Sequence, residues 1–196
     1  MRPDLAALVG SRICHDLISP IGAISNGVEL LSQTDGDTHA EMDLIKQSVE
    51  NASARIRYFR IAYGAFATEQ TVGRSEILSI LSAYARGGRI NYIWQIPGDQ
   101  PRSMVRAAFL VLQAMETTMP LGGDIRICSD GKDWIMEGMG QRIKVDEALW
   151  SNLIAPDPAF RHAAAQVQFA LLPEVLAAAG RRLHMTAQDA RIEVRF

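Results

Sequence analysis

Residues 5–32 read LAALVGSRICHDLISPIGAISNGVELLS, and the spacing of their apolar side chains decides the first half of the molecule. Leu5, Leu8, Val9, Ile13, Leu17, Ile21, Ile24, Val28 and Leu31 recur mostly every third or fourth residue, as one face of a long helix does. The run SQTDGDTHAEMD that follows supplies a glycine and short polar residues, with Asp37 or Thr38 placed to cap a new helix. A second stripe, Met42, Ile45, Val49, Ala52, Ile56, Phe59, Tyr63 and Phe66, makes another helix of similar length, antiparallel to the first. Two helices alone leave the outer half of each stripe wet. Pairing two hairpins into a four-helix bundle covers it, and a homodimer is the expected state.

After about Val72 the pattern changes. Ser75 to Ala85 reads as a short helix, INYIWQIP at 90–97 as a strand, and Ser103 to Met119 as a helix. DIRICS and DWIMEGM flank the pair Asp130-Gly131, a strong signal for a tight hairpin. Helices are expected at Val145 to Leu153 and at Phe160 to Ala179, the latter ended by Gly180, with RRLHM and ARIEVRF pairing at the end of the chain. This order describes an α+β chain in which one sheet is covered by helices. The boundary falls near residues 69–74, giving a helical hairpin at 1–70 and an α/β sandwich at 71–196.

Composition excludes several classes. With 196 residues, 48% hydrophobic and 21% charged, the chain is globular, and a net charge of -2 gives no general attraction to nucleic acid or an anionic membrane. Cys14 and Cys128 lack metal-ligand spacing, and no run approaches the roughly 18 apolar residues of a membrane span. The expectation is a cytoplasmic protein with reduced thiols, no signal peptide and no metal of its own.

His15 lies two residues after Ile13 and two before Leu17, so at about 100° per residue it points away from the apolar stripe. An exposed imidazole with a pKa of roughly 6.5 is largely neutral near pH 7 and usable as a nucleophile. Asp16 can hold one ring nitrogen as N–H and sharpen the other, while Pro20 interrupts the helix hydrogen bonds one turn later and should bend it.

The run His15-Asp16-Leu17-Ile18-Ser19-Pro20-Ile21-Gly22-Ala23-Ile24 resembles the phosphoacceptor box of sensor histidine kinases, and SRICHDLISPIGAISNGVELL at 11–31 looks still more like the histidine phosphotransferase ChpT family. That resemblance implies a dimeric four-helix bundle followed by a degenerate kinase-like ATPase domain. It also implies that His15 is phosphorylated and that Asp16 assists as hydrogen-bond acceptor or base. Ser19 would orient a water for dephosphorylation, against the blander reading of a hydroxyl bonded back to its own helix. The partners implied are response-regulator receiver domains and a hybrid kinase's receiver domain, with Mg2+ on the partner only. Their docking surface is expected at Ile18, Gly22, Ser25 and Asn26, with Arg12 one turn before; Gly22, Ser25 and Gly27 would admit a close partner helix. Arg55, Arg57 and Arg60 read as a solvated charged face.

Measured against the kinase pattern, the second domain departs at each ATP-site element. Gln113 stands at the metal-binding Asn position, Glu116 where Lys is usual, and Met136 where an adenine-reading Asp belongs. The segment HAAAQVQFA replaces a glycine-rich lid, and alanines cannot take the positive φ of such a loop. Gly122, Gly123, Gly138 and Gly140 then serve as turn and strand punctuation. The expected function is a phosphorelay transferase that shuttles a phosphoryl group between response-regulator aspartates without ATP or another cofactor. The rivals are a non-catalytic dimeric regulator-binding module, an atypical ATP-dependent histidine kinase, and a regulator phosphatase that coexists with transfer.

Overall fold

A computed structural model describes residues 4–33, 38–65, 69–86 and 88–196. The first stripe forms α1, Leu5–Gln33, and the second forms α2, His39–Ala62, packed against it. Gly27 sets the close approach: a β-carbon there would lie 2.6 Å from Ile45 Cγ1. The glycine therefore serves this chain's own hairpin, correcting the expectation that it admits a partner. Asp37 and Phe66 lie outside the described residues. Thr38 precedes α2 without a side-chain cap.

The remaining elements are β1 (Thr71–Val72), α3 (Arg74–Ala85), β2 (Ile90–Trp94), β3 (Gln100–Pro101), α4 (Arg102–Thr118), β4 (Gly123–Ser129), β5 (Trp134–Met139), α5 (Glu147–Ile154), a 3-10 turn (Ala164–Gln166), α6 (Val167–Ala178), β6 (His184–Gln188) and β7 (Arg191–Arg195). Five strands form a sheet in the order β2-β4-β5-β7-β6, with β2 parallel to β4 and the other pairs antiparallel. β1 and β3 pair as a separate two-residue ladder, too short to leave a periodic signal.

Local chemistry explains most boundaries. Asp130 Oδ1 accepts from the backbone N–H groups of Lys132 and Asp133, and Gly131 takes φ +91°, closing the β4–β5 loop. At the end of α6, Gly180 has φ +65° and Arg181 N donates to Leu176 O, which completes a Schellman stop. The helix expected from Phe160 begins only at Val167. Arg161 Nη1 donates to the carbonyls of Pro158, Ala159 and Phe160, and the Gln166 side chain accepts from Ala163 N, holding that residue extended ahead of the 3-10 turn.

One cluster of buried residues runs through both halves of the chain. Tyr58, near the end of α2, stacks between Tyr84 and Phe109 and donates to Phe109 O at 2.6 Å. Ile61 and Ala62 are buried beside it, and Leu5, Leu8, Val9 and Ile13 of α1 pack against the same cluster. Trp94, Trp134 and Trp150 are all core residues. The upper hairpin is different. Ile21 and Val28, counted in the buried stripe from sequence, are exposed, as are Ile18, Met42, Val49 and Ile56. Two antiparallel helices cannot cover both sides of each other.

Candidate functional site

α1 passes through Pro20 without a break and holds His15 a turn before it. Pro20 carries no N–H, so the Asp16 carbonyl has no ordinary helix donor at that position. The His15 side chain is 81% exposed and that of Asp16 only 9%, although the two are adjacent. The contrast follows from the helical step. His15 faces solvent while Asp16 turns toward α2 and the sandwich.

Both carboxylate oxygens of Asp16 are engaged. Oδ1 lies 3.1 Å from His15 Nδ1, and Oδ2 accepts from Arg12 Nε at 2.8 Å, with Arg55 Nη1 4.0 Å away. An ionised carboxylate only accepts, so His15 Nδ1 carries the proton and Nε2 keeps its lone pair toward solvent. Arg12, expected on the docking surface, instead turns inward; its side chain is 16% exposed and its Nη1 donates to Ala165 O in the 3-10 turn at 2.8 Å. Burial works against its charge. The Asp16 carboxylate, with smaller help from Tyr63 and Tyr84, more than offsets this and holds the guanidinium above its usual pKa.

The other site residues remain on the surface. At about 100° per residue, His15, Ile18, Gly22, Ser25 and Asn26 share one exposed face of α1, and Ile21 and Val28 sit on the next. A β-carbon at Gly22 would meet nothing within 4 Å, so packing within the chain does not require a glycine there. Ser19 is exposed at the rim of a cavity of about 420 Å³ that also touches Asn51, Arg55 and Arg86. Its hydroxyl makes no hydrogen bond among the described residues, so the bond back to its own helix is not formed. The basic cluster on α2 is solvated at Arg60, whose side chain is 63% exposed, and drawn inward at Arg55. Arg55 donates to Asn51 and lies 5.8 Å over the Tyr84 ring, Arg57 donates to Ser79, and Arg60 pairs with Glu76.

Beside Asp16, a groove of about 330 Å³ leads down to Glu116 on α4. Tyr92 donates to Glu116 Oε1 at 2.6 Å. Burial raises this carboxyl to about 7, against the Tyr92 hydrogen bond and the charges of Arg12 and Arg55. One turn earlier, Gln113 is buried and its Oε1 accepts from Tyr63 at 2.8 Å, while burial pushes the Tyr63 hydroxyl to about 12. Sequence reading missed the roles of Arg55, Tyr63, Tyr84 and Tyr92. The spacing of Arg12 and Asp16, four residues apart, was the one available signal.

The residues do not fit a nucleotide. Gln113 is turned to a tyrosine hydroxyl, Met136 is wholly buried, and the segment at the lid position lies against α1. A β-carbon at Gly138 would come within 2.8 Å of Ile192 and 3.0 Å of Met119, so this glycine admits α4 onto the sheet. Gly122 and Gly123 have φ +80° and +143°, and side chains there would strike the backbone at Arg89 and Met139. These are packing roles.

A family model described as the histidine phosphotransferase C-terminal domain matches residues 74–191. The protein phosphotransferase ChpT of Brucella abortus (strain 2308) is 32% identical over 197 residues, which cover 95% of this chain and 92% of that protein. A solved structure of a bacterial phosphotransferase superposes with a TM-score of 0.81 at 29% identity, covering 98% of this chain and 95% of the other. With its helical hairpin, its α/β sandwich and an exposed histidine where the two meet, the chain belongs to the histidine phosphotransferase family that includes ChpT.

Proposed function

We propose that His15 is the phosphoacceptor through which this phosphotransferase of two-component signalling passes a phosphoryl group between response-regulator aspartates. The observation that carries the reading is the pairing of an 81% exposed imidazole with a 9% exposed carboxylate that fixes its tautomer. His15 Nε2 attacks the phosphorus of a receiver's aspartyl phosphate in line. The P–N bond forms as the P–O bond to the aspartate breaks, and the aspartate leaves as a carboxylate. Nδ1 keeps its proton throughout. The ring gains positive charge, and the hydrogen bond to Asp16 strengthens at that moment, which is the condition for lowering a barrier rather than only binding substrate. The reverse reaction loads a second regulator.

A loose phosphoryl-transfer transition state asks for positioning and charge neutralisation, and the charge would come from a Mg2+ and a lysine of the receiver. The transferase then needs neither ATP nor a metal of its own. The mismatch of Gln113, Glu116 and Met136 with nucleotide binding supports this. Receivers dock on the face of Ile18, Gly22, Ser25 and Asn26, where the solvent-exposed Gly22 costs the helix up to about 1 kcal/mol without an internal packing reason. Ser19 and Asp16 position water when the phosphohistidine or a docked regulator is hydrolysed.

The exposed apolar residues of the upper hairpin, Ile21, Val28, Met42, Val49 and Ile56, support a homodimer built as a four-helix bundle. Light scattering should return twice the 21.6 kDa of one chain, and a monomer at micromolar concentration would remove the bundle. None of the described helices is long and apolar enough to cross a membrane, in keeping with our placement of the protein in the cytoplasm. The test of transfer uses a receiver domain carrying radiolabelled phosphate, freed of ATP, mixed with wild type or His15→Ala. Acid-labile, alkali-stable label on the wild type alone is expected. No label on either, with several donor receivers tried, would leave a regulator-binding module instead.

A further inference from the structure

Among the described residues, the hydrogen bond that links the sandwich to the surroundings of His15 runs through Arg12. This guanidinium stands between the two halves of the molecule. Its Nε reaches Asp16 Oδ2 at 2.8 Å, and its Nη1 reaches the Ala165 carbonyl, 153 residues away in sequence, at the same distance. Asp16 Oδ1 in turn lies 3.1 Å from His15 Nδ1. We infer that Arg12 is a positioning residue, which clamps Asp16 in the orientation that keeps His15 as its Nδ1–H tautomer and thereby ties the reactivity of Nε2 to the 3-10 turn of the second domain.

Three features give the chain of contacts its direction. Asp16 is nearly buried, so its ionised form needs a close cation, and Arg12 is the nearer of the two that approach it, Arg55 remaining at 4.0 Å. A carboxylate held by only one oxygen can rotate. Gripped at Oδ2, it presents Oδ1 to the imidazole in one setting, much as carboxylates orient histidine ligands at metal sites. The second arm of the guanidinium then fixes the first. A planar fork can satisfy two acceptors at once, while an ammonium at the same place is a point charge on a loose stem. The segment 163–169, placed where a nucleotide-binding domain would have its lid, thus acquires a use. It supplies the carbonyl that anchors Arg12, which gives a domain unfit for nucleotide a part in the transfer.

This inference rests on His15 being the phosphoacceptor, and the experiment separates the two. Initial rates are measured over a range of labelled receiver concentrations for wild type, Arg12→Gln, Arg12→Lys and Asp16→Asn. In parallel, 15N NMR of the imidazole reports the His15 tautomer at about pH 8, above the ordinary imidazole range. Arg12→Gln should lower the saturating rate about 10- to 100-fold, with the half-saturating receiver concentration unchanged and the Nδ1–H tautomer losing its dominance. Arg12→Lys keeps the charge beside Asp16 but gives up the second arm, and should fall between wild type and Arg12→Gln in both readouts. The inference is overturned if Arg12→Gln keeps the wild-type tautomer and a saturating rate within about two-fold. It is also overturned if only the half-saturating concentration rises, because Arg12 would then be a docking residue. Absence of label from the wild type would defeat the phosphoacceptor reading instead, and the tautomer measurement, which needs no receiver, would still decide the role of Arg12.

Discussion

Two polar clusters lie within reach of Arg12 and could hardly be treated more differently. Around His15 the supporting groups are paired and sheltered, and one imidazole is left in water with a free lone pair. Around Gln113 and Glu116 the groups point at one another: Tyr63 bonds Gln113 and Tyr92 bonds Glu116, whose carboxyl burial pushes to about 7. A reactive site needs one unspent valence facing outward. In the second cluster Gln113 Oε1 and Glu116 Oε1 are taken up by tyrosine hydroxyls, and the amide nitrogen left without a partner, Gln113 Nε2, is buried rather than turned to solvent.

The sharpest way to break this contrast is at His15. Replacing it with Ala should abolish labelling by a phosphorylated receiver while leaving the melting temperature within about 2 °C, since a side chain so exposed holds little in place. Persistent labelling would move the chemistry elsewhere.

The next effect belongs to Glu116. Its folded-state pKa stands at about 7, above the usual 4.5, so the unfolded carboxyl releases its proton first as pH rises. Folding stability contributed by the protonated acid is full below about pH 4.5 and is lost as pH climbs through about 7. Glu116→Gln removes that loss, and its advantage in urea unfolding should grow across this window to about 1–3 kcal/mol. A difference independent of pH would mean that the carboxyl titrates normally.

Smaller still, Tyr92→Phe deletes the hydroxyl that Glu116 accepts from and should cost about 1–2 kcal/mol in the same assay at pH 6, with phosphotransfer unchanged. The smallest effect tests whether the second cluster can be reawakened. Gln113→Asn restores the metal-binding residue type of the kinase pattern, yet a thermal-shift titration with Mg-ATP should show no stabilisation, because the neighbouring carboxyl, Met136 and the α1-packed lid segment remain. A saturable shift would reverse the reading of this domain.

Much of the architecture was legible before any coordinates. Period and turn chemistry located the hairpin, the Asp130-Gly131 loop and the Gly180 stop, because each is decided by neighbours in sequence. His15 was legible for the same reason: its exposure is a matter of helical phase relative to Ile13 and Leu17. What escaped depends on distant partners. Helical phase assigned Ile21 and Val28 to a buried stripe, but only the packing of α2 shows that the upper hairpin covers neither. Arg12 looked like a surface cation until the Ala165 carbonyl, on a turn that replaces the expected start of a helix, came into place. Gly27 was read as a gap for a partner, and its neighbour proved to be Ile45 of the same chain.

The bond between Arg12 and Ala165 also sets an order of events at birth. A ribosome adds about 5–20 residues per second, so the 153 residues between these two positions take roughly 8–30 s to synthesise. Throughout that interval the nascent hairpin carries His15 without the carbonyl that anchors its arginine. If Arg12 sets the reactivity of His15 as inferred above, an unfinished chain would take up phosphate more slowly than a completed one.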